Sequence, residues 1–183
     1  MFRFFPITAL LIVLLFRTIA AEAAQQPQRE KVPPRIMLWS WQKIEDLRSI
    51  DTSKAGVALL VGRFTVDQSK IALEPRLSKL QLPAGCYKEA VARVEIKQIP
   101  STSEIDSVSD QLAQSIVHLV LAHSRFDGVQ IDCDAKQLER PFYVQLLKQL
   151  RQQLPANLSL SMTALASWSQ GDQWLRQSIA NDR

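Results

Sequence analysis

Two aspartates, Asp132 and Asp134 in the stretch "DGVQIDCDA" at residues 127–135, have the type and spacing that could do chemistry. Side chains alternate along a β-strand, so Gln130, Asp132 and Asp134 are expected on one side and Val129, Ile131 and Cys133 on the other. Carboxylates so placed can divide labour. One stays ionised, and the other holds a proton against that neighbouring charge and gives it to a leaving oxygen. Glycoside hydrolysis is the reaction class that uses such carboxylates most directly. A local reading competes with it: Asp134 stands where a strand runs toward a helix, and an aspartate there can cap the helix. Asp127, before Gly128, reads as a turn residue.

The acids need a scaffold, and the surrounding pattern supplies one. "RIMLWSWQ" (35–42) reads as a strand and "KIEDLRSI" (43–50) as a short helical turn. "AGVALLVGRFTV" (55–66) and "AVARVEI" (90–96) read as the second and third strands. Ser101 and Glu104 have capping-box spacing, and Ile105, Val108, Leu112, Ile116 and Leu119 then recur on one helical face. "GVQID" is the fourth strand. Pro141 opens a second helix with Phe142, Leu146, Leu150 and Leu154 as its apolar stripe, and Pro155 closes it. "LSLSMTALASW" (158–168) is a fifth strand running into a loop.

Alternating strands and helices with near-continuous apolar strands indicate an α/β fold with a parallel sheet covered by helices. Five strands suit either an open doubly wound sheet or part of an eight-stranded barrel. No Gly-rich loop of the GxGxxG or GxxxxGK[ST] type follows a strand, which removes the usual nucleotide cofactor from the reading and favours a partial (β/α)8 TIM-barrel-like fold. In such a barrel the polar set points inward near the C-terminal strand ends. That set is Gln130, Asp132 and Asp134, with Arg93 and Glu95 from strand three and Ser159, Ser161 and Thr163 from strand five. Trp39 and Trp41 at the end of strand one, and Trp168 after strand five, would offer flat faces to sugar rings. Each has a plainer alternative: Arg93 and Glu95 as a structural ion pair, Ser159, Ser161 and Thr163 as interior hydrogen bonding, and the tryptophans as core or rim packing.

The N-terminal segment stands apart from this fold. Arg3 gives a basic start, an apolar run follows to Phe16, and "AEAA" (21–24) has the small-residue pattern of a secretory cleavage site. Residues 1–23 are therefore expected to be a signal peptide, 24–34 a proline-rich linker, and 35–183 an incomplete β/α barrel domain. A periplasmic or secreted location follows, with retention in the inner membrane by an uncleaved anchor as the alternative. The apolar run is shorter than the roughly 20 residues of a membrane span. Loss of Arg3, Arg17 and Glu22 lowers the net charge from +4 to +3. The charges are scattered without a basic run, which argues against nucleic acid. Cys86 and Cys133 could pair or remain inert core thiols, and neither they nor His118 and His123 form a zinc pattern. The expected partner is a glycan, with no metal or cofactor.

"DGVQIDCD" resembles the DGxDxDxE signature on the fourth barrel strand of chitinase-like glycoside hydrolases. Asp127, Gly128, Ile131 and Asp132 fit. Gln130 replaces an acid and Asp134 replaces the proton-donating Glu, one methylene and roughly 1.5 Å shorter; misplacement of about 1 Å costs on the order of 100-fold in rate. Over longer stretches, "MLWSWQKIEDLR" (37–48), "GVQIDCDA" (128–135), "ERPFYVQLLKQLR" (139–151) and "LSLSMTALASW" (158–168), the chain resembles an exported bacterial family, domain of unknown function 3142. Cys133 stands where that family pattern leads one to expect an aromatic residue. The resemblance implies further strands beyond "QSIANDR", so an incomplete barrel is expected. Three readings follow: a glycosidase-like enzyme with Asp134 as acid and Asp132 as electrostatic partner, a glycan-binding protein that has lost catalysis, and a truncated remnant.

Overall fold

A computed structural model of the chain describes residues 31–122, 126–165, 168 and 174. The segment expected to be a signal peptide (1–23), most of the expected linker, His123 and the C-terminal "QSIANDR" lie outside the described residues. Among the described residues six strands come first and two long helices then alternate with two more: β1 (Ile36–Ser40), β2 (Glu45–Asp46), β3 (Ala55–Asp67), β4 (Lys70–Pro75), β5 (Leu80–Gln81), β6 (Lys88–Gln98), α1 (Ile105–Ala122), β7 (Gly128–Asp132), a 3-10 turn (Gln137–Glu139), α2 (Arg140–Gln153) and β8 (Ser159–Met162).

The fold is α/β with a mostly parallel central sheet. β1, β3, β6, β7 and β8 lie side by side in chain order, every neighbouring pair parallel. Both helices cover one face. Phe64, Ala90, Ala92, Val94, Val129 and Ile131 from the strands pack there against Leu112, Ile116, Phe142, Leu146 and Leu150 from the helices. A side chain of this size contributes about 2 kcal/mol when fully buried, so this layer dominates the folding free energy. Sequence fixes its edges: Glu104 accepts a hydrogen bond from the Ser101 main-chain N–H (3.2 Å) ahead of α1, one half of the expected capping box, while the Ser101 hydroxyl turns to the same carboxylate and the Glu104 N–H goes to the Ser101 carbonyl (2.8 Å). Arg151 ties the end of α2 to β8 by donating to the carbonyls of Leu154 (3.2 Å), Pro155 (3.0 Å) and Leu158 (2.9 Å).

The first two connections depart from the β/α expectation. Residues 43–50 are not a helix but β2 followed by a single turn closed by the Ile50 N–H on the Leu47 carbonyl (3.2 Å), with Glu45 and Asp46 paired in parallel to Leu80 and Gln81 of β5. A segment so short gains little from helical hydrogen bonds, and local acceptors compete for its N–H groups. Asp46 takes the Arg48 N–H (3.1 Å) and Asp51 the Ser53 N–H (3.1 Å). The connection from β3 to β6 likewise contains a hairpin strand, β4, paired antiparallel to the second half of β3. Its two-residue turn, Gln68–Ser69, places Gln68 at φ 54°, a positive angle that neither residue type advertises in the sequence. β3 is therefore flanked on one edge by β6 and on the other by β1 and β4 laid end to end. The parallel register with β6 shifts by one residue between Leu60 and Gly62. No described helix is long and apolar enough to cross a membrane.

Candidate functional site

The sheet face on which no helix is described carries the other alternates of the same strands, most of them polar on β6, β7 and β8. In-register partners of parallel strands point the same way, so rows can be read across the sheet. Trp39, Ala58, Glu89, Gly128 and Ser159 form one row; Leu60, Val91, Gln130 and Ser161 the next; Arg63, Arg93 and Asp132 the one after.

Arg93 is the centre of the third row. Its Nη1 donates to Asp132 Oδ2 at 2.9 Å and its Nη2 to Asp134 Oδ2 at 2.8 Å. Burial works against the Arg93 charge, but hydrogen bonds and charge from Asp132 and then Asp134 outweigh it and raise its pKa above the ordinary arginine value. Asp132, only 6% exposed, also accepts from Thr163 Oγ1 at 2.9 Å. Glu95 lies 3.9 Å from Arg93 Nε and 3.3 Å from Arg63 Nε, and Arg63 reaches Glu74 at 3.8 Å. The structure thus gathers Arg93, Glu95, Asp132, Asp134 and Thr163 into one charged network. Asp134 is not a helix cap: the Lys136 N–H of the following turn goes to Glu139 Oε2 at 2.8 Å, three residues on.

One and two rows back, toward the strand N-termini, the same face holds uncharged hydrogen bonding around a single carboxylate. Glu89, 8% exposed, accepts from Ser161 Oγ at 2.7 Å, and Tyr87 OH lies 3.4 Å from Ser159 Oγ. Gly128 permits this crowding. A Cβ there would fall 3.0 Å from Tyr87 OH and 3.5 Å from Glu89 Oε1, and would collide with Ser159 Oγ. Gln130 Oε1 is buried with no hydrogen-bond partner among the described residues. Asp127 anchors the strand starts, accepting from the Lys88 N–H at 3.0 Å and pairing with Lys31 at 3.0 Å.

The tryptophans divide. Trp39 and Trp41 stack on each other, centroids 5.6 Å apart and planes 29° apart, both about two-fifths exposed. Trp39 shares the polar face but stands three strand spacings, roughly 14 Å along the sheet, from β7. Trp168 belongs elsewhere. It is 3% exposed in the helix-side core, 6.2 Å from Tyr143 and 5.0 Å from Trp174, so it offers no ring to a ligand at a strand mouth. Cys86 and Cys133 are free buried thiols, and burial pushes Cys133 up to about 12. Among the described residues no group of three or more His, Cys, Asp or Glu is gathered for a metal.

Two contributors escaped the sequence reading. Glu89 lies one residue before the expected start of its strand, although its alternation with Arg93 and Glu95 was readable. Arg63 sits in a strand that looks wholly apolar from its first half, and the register shift after Leu60 turns it onto the polar face.

Residues 88–178 match the family model described as Domain of unknown function (DUF3142). The match takes in Arg93, Glu95, Gln130, Asp132, Asp134, Thr163 and Trp168 but ends short of Trp39 and Trp41, so the "MLWSWQKIEDLR" stretch lies outside it. No curated protein and no solved structure matches the chain.

Proposed function

We propose that this is an exported carbohydrate-binding protein whose polar sheet face, opposite α1 and α2, holds a glycan, in a fold of the β/α-barrel type. Side-by-side parallel strands in chain order support the barrel, because a doubly wound sheet reverses its strand order at a switch point. The basic start, apolar run and small-residue site in residues 1–23 support export to the periplasm or beyond.

A single observation carries the choice of binding over hydrolysis: Arg93 is shared by Asp132 and Asp134. Acid catalysis at a glycosidic oxygen needs a carboxyl that donates a proton, and both carboxylates here are committed as acceptors to the same cation. An Arg–carboxylate network beside a buried amide acceptor is instead suited to the vicinal hydroxyls of a sugar, which donate and accept at once. The Trp39–Trp41 pair supplies the apolar surface such rings stack on.

Retention of the full chain on insoluble polysaccharides, run beside turnover of chromogenic glycosides, tests the reading. Expected are retention that survives Asp134→Asn, retention that falls about 10-fold in Trp41→Ala, and no turnover. Turnover by the native protein that vanishes in Asp134→Asn would replace binding with hydrolysis. Absence of both retention and turnover would end the carbohydrate reading.

A further inference from the structure

Arg76 directly follows β4, and its main-chain N–H continues the β3 ladder by donating to Val61 O at 2.9 Å. Its side chain has all five N–H groups engaged, none by a carboxylate. Nε donates to Ser78 O (3.1 Å), Nη1 to Ser40 O (3.0 Å) and Trp41 O, and Nη2 to Ser40 Oγ (3.2 Å) and Lys43 O (2.9 Å). Four main-chain carbonyls therefore converge on one guanidinium where β1 ends and β4 ends, both on the same edge of β3. Carbonyls leaving a sheet need new donors, and a planar fork can serve several at once. The β2–β5 ladder lies just beyond, so the two loops run side by side from this clamp.

Trp41 stands one residue past the β1–β3 ladder, and Arg76 is what holds its carbonyl. Neither Trp39 nor Trp41 is enclosed by a core, and one exposed ring pair is a weak constraint against indole rotamer freedom. Main-chain fixation on both sides of Trp41 supplies the missing constraint.

We propose that Arg76 is the positioning residue of the glycan-binding face: by clamping the main chain at residues 40, 41 and 43 it holds the Trp39–Trp41 stack as a platform formed before any ligand arrives. A preformed stack spares the ligand the cost of ordering two side chains. This rests on the glycan reading given above, and the test separates the two.

The full chain is compared with Arg76→Lys and Arg76→Met by the exciton couplet of the stacked indoles in far-ultraviolet circular dichroism, with Trp39→Phe marking its absence, and by retention on cellulose, chitin and peptidoglycan. Arg76→Lys keeps the charge but supplies three donors in place of five. It is expected to stay folded, lose most of the couplet and lower retention about 10-fold. An intact couplet in Arg76→Lys overturns the proposal, and so does global unfolding of that variant, which would make Arg76 a general structural residue. Loss of the couplet in a protein that is retained on no polysaccharide upholds the positioning role and removes the glycan reading alone.

Discussion

On β7, Val129 and Ile131 are buried without remainder against the helices, while their chain neighbours Gln130 and Asp132 turn to the opposite side of the sheet. β6 divides in the same way, with Ala90, Ala92 and Val94 on one side and Glu89, Arg93 and Glu95 on the other, the buried Val91 being the one apolar residue among them. The two faces share every backbone hydrogen bond of the sheet, so what separates them is side-chain chemistry alone. The helix side is uniform and space-filling, and its residues exchange with others of similar volume at little cost. The other side is held by specific pairs, and where a member is buried, as Asp132 and Glu89 are, removing its partner leaves it without that counterpart. Stability concentrates on the first face and chemical discrimination on the second.

The sharpest way to break this contrast is Leu146→Ala on the helix side. It should cost about 3 kcal/mol in urea unfolding, while polysaccharide retention per folded molecule stays unchanged. A loss of retention without a loss of stability would mean that the faces are not independent. Next in size is Arg93→Met. Asp132 would keep only its Thr163 donor at 6% exposure, so about 2 kcal/mol should be lost. The double variant Arg93→Met with Asp132→Leu should recover most of it in the same denaturation series.

Cys133 and its neighbours Asp132 and Asp134 test the contrast at single-residue resolution. The thiol is pushed up to about 12 by burial first and by the nearby Glu139 charge second, from an ordinary value of 9.0. Its folded pKa lies above its unfolded one, so its contribution is intact below pH 9 and is lost as the pH rises toward 12. Tyr143, also raised by burial, adds to the same alkaline decline. Stability should therefore fall by up to about 1.4 kcal/mol per pH unit for the Cys133 proton, and Cys133→Ala should flatten that slope. A slope unchanged by the substitution would show that the thiol is not enclosed by the helix-side core. The smallest effect is expected at Gly128→Ala. It should cost about 1 kcal/mol, with part recovered in Gly128→Ala/Ser159→Ala, because the added Cβ meets the Ser159 hydroxyl.

The second half of the fold was legible from local signals. α1 follows the Ser101–Glu104 pair, α2 starts beside Pro141 and stops before Pro155, and "GVQID" is β7 to the residue. The first half was harder because its connections are not helices. Short polar segments such as 43–50 have no period that separates a bend from a turn of helix, and β4 pairs through a hairpin whose turn lacks glycine. At the site, the common face of Gln130 and Asp132 was readable, and Asp134 joins it. The partnership with Arg93 was not, since it joins residues 39 and 41 positions apart. Trp168 was misread as a mouth residue because a lone tryptophan after a strand looks the same whether it ends in a core or at a rim.

Alternation of side chains is a property of the extended backbone, so the sequence by itself determined which residues of β6 and β7 would share a face. Register, the clamp of Arg76 on the end of β1, and the choice of Arg93 as the common partner of two aspartates depend on how distant strands are set against one another. Packing of the helix layer and closure of long connections decide that setting, and neither is encoded within any short stretch of chain.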